Sequence, residues 1–203
     1  MFSKFMSLDS ERRDTILNAG FKEFAKKGFD DASTNVISKE SGISKPLMFH
    51  YVKSKKDFFL FLYDYCLDVL EKEYFSKIDR SQKDIFERLR KTCLLKIQVM
   101  KKYPWIFDFV KTAVLMDSDM VKERRKMVEE NSFERFYGDI DTSKFREELD
   151  KEKSKRLIFW AIGGYADQVL EELKNSNTVE LDFEKISTEF DSYLDELKKT
   201  YYM

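Results

Sequence analysis

Between residues 45 and 55 the chain sets a cation, an imidazole and several aromatic or apolar side chains within a few helical turns. Lys45, Pro46, Phe49 and His50 share one side of a helical projection, Leu47 and Tyr51 lie on its edges, and Met48 and Val52 point the other way. A lysine and a histidine suit phosphates and base edges, and apolar groups suit thymine methyls, so the chemistry on offer is recognition of double-stranded DNA. Catalysis fits the residues poorly. His50 is the only histidine, so no Ser-His-acid set, no second histidine for a metal and no Glu-x-x-His pair for a di-iron bundle can be assembled. No GxGxxG or Walker loop is present. The expectation is a protein that is not an enzyme and uses no metal or cofactor, with its 38 Asp and Glu forming solvated faces.

Such a reading helix must be held against a turn, and the flanking residues supply one. Glu11 to Lys27 reads as a first helix capped by Ser10, with Ile16, Ala19, Gly20 and Phe24 on one face. Lys26 and Lys27 complement the dipole of its last turn, and Gly28 is placed for the left-handed position that follows. Ser33 or Thr34 can cap a second helix whose apolar side is Val36 and Ile37. Gly42 ends it and Ile43 packs back. Ser44 caps the third helix, where Pro46 costs little because first-turn N–H groups lack helical partners anyway. Ser54 followed by Asp57 gives a capping-box-like start to a fourth helix. Residues 28–57 thus form a helix-turn-helix, whose second helix reads the major groove.

After a first helix come G-F-D at 28–30, I-S-K-x-x-G-I-S-K at 37–45 and F-H-Y-V-K-S-K-K at 49–56. On these motifs, which cover about 50 residues, the sequence resembles the tetracycline-repressor (TetR/AcrR) family of bacterial transcriptional regulators. The remainder resembles it in length and helical character. The resemblance implies an all-α protein, with an N-terminal three-helix DNA-binding domain at 1–53 and a larger helical ligand-binding and dimerisation domain at 54–203. It implies that Ser33 and Thr34 meet backbone phosphates, that Lys45 contacts bases or phosphates, and that Lys55 anchors the backbone. Phe49 stands where the family usually has a phosphate-bonding tyrosine, which leaves that contact to His50 or Tyr51. Pro46 and Leu47 replace the commoner Gly-Thr, so Leu47 offers apolar readout without a hydroxyl.

The charge distribution agrees. Residues 1–56 hold eleven Lys or Arg against seven Asp or Glu, a net of +4, which leaves −5 for residues 57–203 out of the total of −1. A positive head on an acidic body suits DNA binding at one end. Two prolines and six glycines in 203 residues point to an all-α chain with a core large enough to fold unaided. Cys66 and Cys93 match no metal or redox spacing, which favours a reducing compartment. The absence of an 18-residue apolar run and of a secretory leader in MFSKFMSLDSERR makes a cytoplasmic location the expectation.

After residue 54 the periodicity predicts five or six helices. One spans about 55–77 and is apolar nearly all round at FFLFLYDYCL; another spans 82–103, ended by Pro104 and followed by PWIFDFVKTAVL. A charged helix is expected over 119–136, then two long ones over 151–175 and 181–201 around the break NSNT. The last two resemble the family's dimerisation element, and Phe159, Ile162, Gly163 and Ala166 are the candidate interface. Gly163 and Gly164 would admit a close helix, although each costs about 1 kcal/mol in helix propensity. A twofold dimer also suits two recognition helices that must reach half-sites about 34–36 Å apart. The 19 Phe, 10 Tyr and 2 Trp fall largely in the body. Tyr63, Cys66, Trp105, Phe109, Met116, Phe159 and Trp160 are the candidates to line a cavity for an unidentified apolar or aromatic effector, which by the resemblance would shift the body population and release the operator. The function expected is a homodimeric repressor relieved by a small hydrophobic ligand. The alternative is a DNA-binding scaffold controlled by a protein partner, with no small-molecule ligand.

Overall fold

The computed structural model describes residues 3–115, 132–175 and 183–203. Contacts divide the chain into two compact units, residues 1–76 with 97–130 and residues 77–96 with 131–203. Among the described residues regular structure is helical, apart from one isolated bridge between Phe145 and Tyr202. No helix among them is long and apolar enough to cross a membrane.

The first unit contains α1 (Ser3–Met6), α2 (Ser10–Asp31), α3 (Thr34–Glu40), α4 (Lys45–Val52), α5 (Lys55–Glu73) and α7 (Ile106–Leu115), with the end of α6 (Ile85–Lys102). The expected cap of the first helix is corrected by one residue. Asp9 is the N-cap, its Oδ1 accepting the Arg12 N–H at 3.0 Å, and Ser10 already lies in the helix. A carboxylate caps better than a hydroxyl here because it also complements the positive end of the dipole. Gly28 breaks α2 with φ 68° and ψ −174°, a positive φ as expected but in the extended mirror region that glycine alone enters readily. Helix α2 buries Ile16, Phe21 and Phe24 against α5 and α7. Gly20 lets α5 approach: a Cβ there would stand 2.7 Å from Leu62 Cδ1 and 2.9 Å from the Phe58 ring.

Helix α1 was not foreseen from the sequence. Phe5 on it is fully buried, 5.1 Å from the Phe61 ring and 6.3 Å from the Tyr51 ring. Helix α5 follows the expected start and buries Phe58, Phe59, Leu62, Tyr63, Cys66 and Leu70, ending at Glu73 rather than about 77 because residues 75–77 tighten into a 3₁₀ turn.

The second unit holds the start of α6 with α8 (Ser132–Tyr137), α9 (Lys151–Asn175) and α10 (Phe183–Tyr201). Asp84 caps α6, accepting the Phe86 N–H at 3.0 Å. Arg88, 1% exposed, knits the unit together, and Phe159 packs its ring 5.2 Å from Phe133 and 5.3 Å from Tyr137. The two long final helices match the expected spans where described. Of the helix expected over 119–136 only the end, within α8, is described; Met116 and most of the NSNT break lie outside the described residues.

Candidate nucleic-acid interface

The turn that presents α4 is built almost wholly from local hydrogen bonds. At the end of α3 the Ile43 N–H reaches Ser38 O at 3.0 Å and the Gly42 N–H reaches Lys39 O at 3.2 Å. This paired closure is the Schellman arrangement, and it needs a residue of positive φ at position 42, where Gly42 has φ 66°. Ser44 then caps α4, its Oγ accepting the Leu47 N–H at 3.3 Å, with Pro46 in the first turn. Ile37, Met48 and Val52 are fully buried, which fixes how α3 and α4 rotate. Val36 does not share that role. It is 38% exposed, while its neighbours Ile37 and Ser38 are buried, because adjacent residues on a helix sit about 100° apart and a seven-residue helix offers one narrow inner stripe.

Burial leaves the other side of α4 outward. Lys45, Pro46 and His50 are exposed, while Leu47, Phe49 and Tyr51 are half-buried against the core. The Lys45 ammonium lies 6.0 Å from the Phe49 ring centroid, and the His50 and Tyr51 rings meet edge-on at 5.6 Å. An aromatic shelf thus steadies both the cation and the imidazole. Ser33 and Thr34 stand half-buried at the start of α3; Ser33 is its N-cap residue, and its side chain makes no capping bond.

Helix α4 ends in a tight turn. Lys53 has φ 59° and ψ −59°, and the Ser54 N–H closes onto Val52 O at 2.7 Å. That is a γ-turn centred on a non-glycine residue, a strained backbone of the kind found beside functional sites. Ser54 then opens α5, its Oγ accepting the Asp57 N–H at 3.1 Å and donating to Asp57 Oδ2 at 2.6 Å. Lys55, first in α5, donates to Asp30 O at 2.9 Å and Ala32 O at 3.2 Å. Neither the γ-turn nor the Lys55 bonds were legible as patterns, since Lys53 is an atypical residue for its conformation and Lys55 finds partners more than twenty positions away.

The candidate ligand residues are scattered. Tyr63, Cys66 and Phe109 are fully buried in the first unit's core, where desolvation raises the Cys66 thiol pKa. Trp105 is half-buried beneath the Lys26 ammonium at 4.8 Å and borders a groove of about 360 Å³ with Asn18, Lys22 and Pro104. In the second unit Phe159 is half-buried and Trp160 is 62% exposed. A cleft of about 760 Å³ between α9 and α10 is lined instead by Tyr165, Gln168, Glu172, Lys185 and Glu189. Of the dimer candidates, Ile162 is 5% exposed inside its unit, and Phe159, Gly163 and Ala166 are half-buried. The outward face of α9 carries Leu157, Trp160, Ala161 and Gly164, and α10 adds exposed Tyr193.

Residues 16–61 match the family model for bacterial regulatory proteins of the tetR family. No curated protein has a significantly similar sequence. Solved structures share the fold over nearly the whole chain. A TetR family transcriptional regulator from Chloroflexus aurantiacus is 21% identical, with 98% of this chain and 97% of that one covered and a TM-score of 0.69. The ketosteroid transcriptional regulator KstR2 of Mycobacterium tuberculosis is 17% identical, with 97% of each chain covered and a TM-score of 0.66. AibR, solved in complex with isovaleryl coenzyme A and operator DNA, is 16% identical, with 91% of this chain and 97% of that one covered and a TM-score of 0.56. The architecture is therefore TetR-like, with an N-terminal helix-turn-helix and a C-terminal helical part.

Proposed function

We propose that this chain, whose N-terminal helix-turn-helix and overall fold are those of TetR-type transcriptional regulators, is a homodimeric repressor that leaves its operator when a small hydrophobic or aromatic ligand binds. The observation that carries the DNA-binding reading is the rotation of α4. Met48 and Val52 are fully buried, while Lys45, Pro46 and His50 face outward behind a capped, glycine-closed turn. The proposed contacts are Ser33 and Thr34 at the start of α3, and Lys45, Pro46, Leu47, Phe49, His50 and Tyr51 from α4. The ligand half of the reading draws on AibR, a protein of like fold solved with an acyl-coenzyme A and operator DNA.

Lys45 and His50 should separate in titrations against operator DNA. Lys45→Ala is expected to weaken binding to all sequences and to lower the slope of log affinity on log salt by about 0.9, the signature of one lost phosphate contact. His50→Ala is expected to cost about 1–3 kcal/mol on the preferred operator and less on variants altered beneath it. Anisotropy titrations at three salt concentrations read both. Equal loss on every sequence for His50→Ala would count against direct readout.

For the dimer we propose the α9 stripe Leu157, Trp160, Ala161 and Gly164, bordered by the half-buried Gly163 and Ala166. An exposed tryptophan and leucine at helical spacing make an apolar face that water disfavours. Trp160→Glu places a charge at its centre and is expected to yield a monomer by analytical ultracentrifugation, with loss of binding to paired half-sites. A dimer of unchanged affinity would exclude this face as the interface.

A further inference from the structure

Lys55 stands where a lysine ought to be disfavoured, in the first turn of α5, facing the positive end of the helix dipole. Its ammonium is compensated inside the chain by the carbonyls of Asp30 at 2.9 Å and Ala32 at 3.2 Å, and it lies 4.9 Å from the Phe29 ring centroid. Phe29 is itself docked, stacked with Phe24 at 6.4 Å and edge-on to Phe59 at 5.3 Å. The same stretch is held by α2. Glu23, only 8% exposed, accepts the Ser33 N–H on Oε1 at 2.8 Å. A cation from α5 and a carboxylate from α2 therefore grip residues 29–33, the turn that delivers Ser33 and Thr34.

We infer that Lys55 is a positioning residue for DNA binding: it acts through the Asp30 and Ala32 carbonyls to hold the α2–α3 turn, rather than chiefly by touching a phosphate. The assignment rests on the regulator reading above. Two of the ammonium's three N–H donors already point into the chain. Geometry also explains why the side chain is a lysine of full length: it spans from the first residue of α5 to the Asp30 and Ala32 carbonyls, with its ammonium over the Phe29 ring.

The test pairs Lys55→Met, which keeps length but removes the donors, with Lys55→Arg, which keeps donors. Hydrogen exchange is followed on DNA-free protein, and operator affinity is measured at three salt concentrations. Lys55→Met is expected to speed exchange in residues 30–35 by tenfold or more with α6 and α9 unchanged, to weaken operator binding on the order of tenfold, and to leave the salt slope at its wild-type value. Lys55→Arg should return exchange to near the wild-type rate. Unchanged exchange in Lys55→Met with a slope lower by about 0.9 would overturn the inference in favour of a phosphate contact. Faster exchange throughout the first unit would overturn it in favour of general loosening. Should the wild-type protein show no operator preference, the regulator reading fails, while the exchange data on DNA-free protein still decide the clamp.

Discussion

Phe24→Ala is expected to cost about 3–5 kcal/mol and, with it, DNA binding. Phe24 is fully buried at the centre of an aromatic cluster, with ring centroids of Phe59 at 5.1 Å, Phe58 at 6.2 Å, Phe109 at 6.3 Å and Phe29 at 6.4 Å. Truncation removes the hydrophobic transfer term and leaves a cavity whose stiff aromatic walls collapse poorly. Phe58 and Phe59 come from α5, Phe109 from α7 and Phe29 from the end of α2, so the loss loosens the supports of the α2–α3 turn together with the core. Chemical denaturation read by near-ultraviolet circular dichroism checks the magnitude. A cost below 1 kcal/mol would mean that the cluster repacks, contrary to the close packing described.

Arg88→Met is expected to destabilise the second unit by about 3–5 kcal/mol. The Arg88 guanidinium, 1% exposed, donates to Gln82 O at 2.7 Å, Asp139 Oδ1 at 2.7 Å and Arg80 O at 3.0 Å, and also to Phe136 O. Methionine fills part of the volume but leaves those acceptors without their donor, and unsatisfied buried groups carry the full desolvation penalty. The pH dependence follows from Asp139. Hydrogen bonds from Arg88, and then from Lys83, hold its carboxyl well below the usual carboxylate range. A depressed folded pKa gives stability that is complete above the unfolded value of about 3.9 and is lost as pH falls towards the folded one. The gap between wild type and Arg88→Met should therefore stay constant from about pH 7 to 5 and narrow below about pH 4. Thermal melts across that range test it; a gap that widens on acidification would exclude the Asp139 pairing as its source.

What the sequence disclosed was what is set locally. Gly42, Ser44 and Ser54 act on backbone groups within a few positions of themselves, so their residue types announced the turn and the two helix starts. The inward positions Met48 and Val52 followed from a 3.6-residue repeat. Features that join distant parts of the chain were hidden. Nothing near Arg88 in the chain announces its burial, and its partner Asp139 lies 51 positions away. Phe5 sat in an unpatterned N-terminal stretch, and nothing nearby showed that Phe61 and Tyr51 would bury it. Lys55 was assigned by resemblance to a phosphate, whereas its bonds to Asp30 and Ala32 exist only once α5 folds back on the turn. On α9 an apolar run could be recognised but not divided: Ile162 turned inward and Trp160 outward, a distinction set by which helices pack on α9 rather than by hydrophobicity. Val36 and Ile37 show the same limit on a helix of seven residues.

On the reading proposed above, the outward face of α4 reads a particular DNA sequence. The most direct test titrates the purified protein, and its His50→Ala variant, against the DNA flanking its own gene and a scrambled duplex of the same length, at two salt concentrations. The wild type is expected to bind in a salt-sensitive way with a strong preference for the flanking DNA and two subunits per pair of half-sites, and His50→Ala to reduce that preference. Equal binding of both duplexes by the wild type, in a genome-wide fragment selection as well as with the flanking DNA, would contradict that reading.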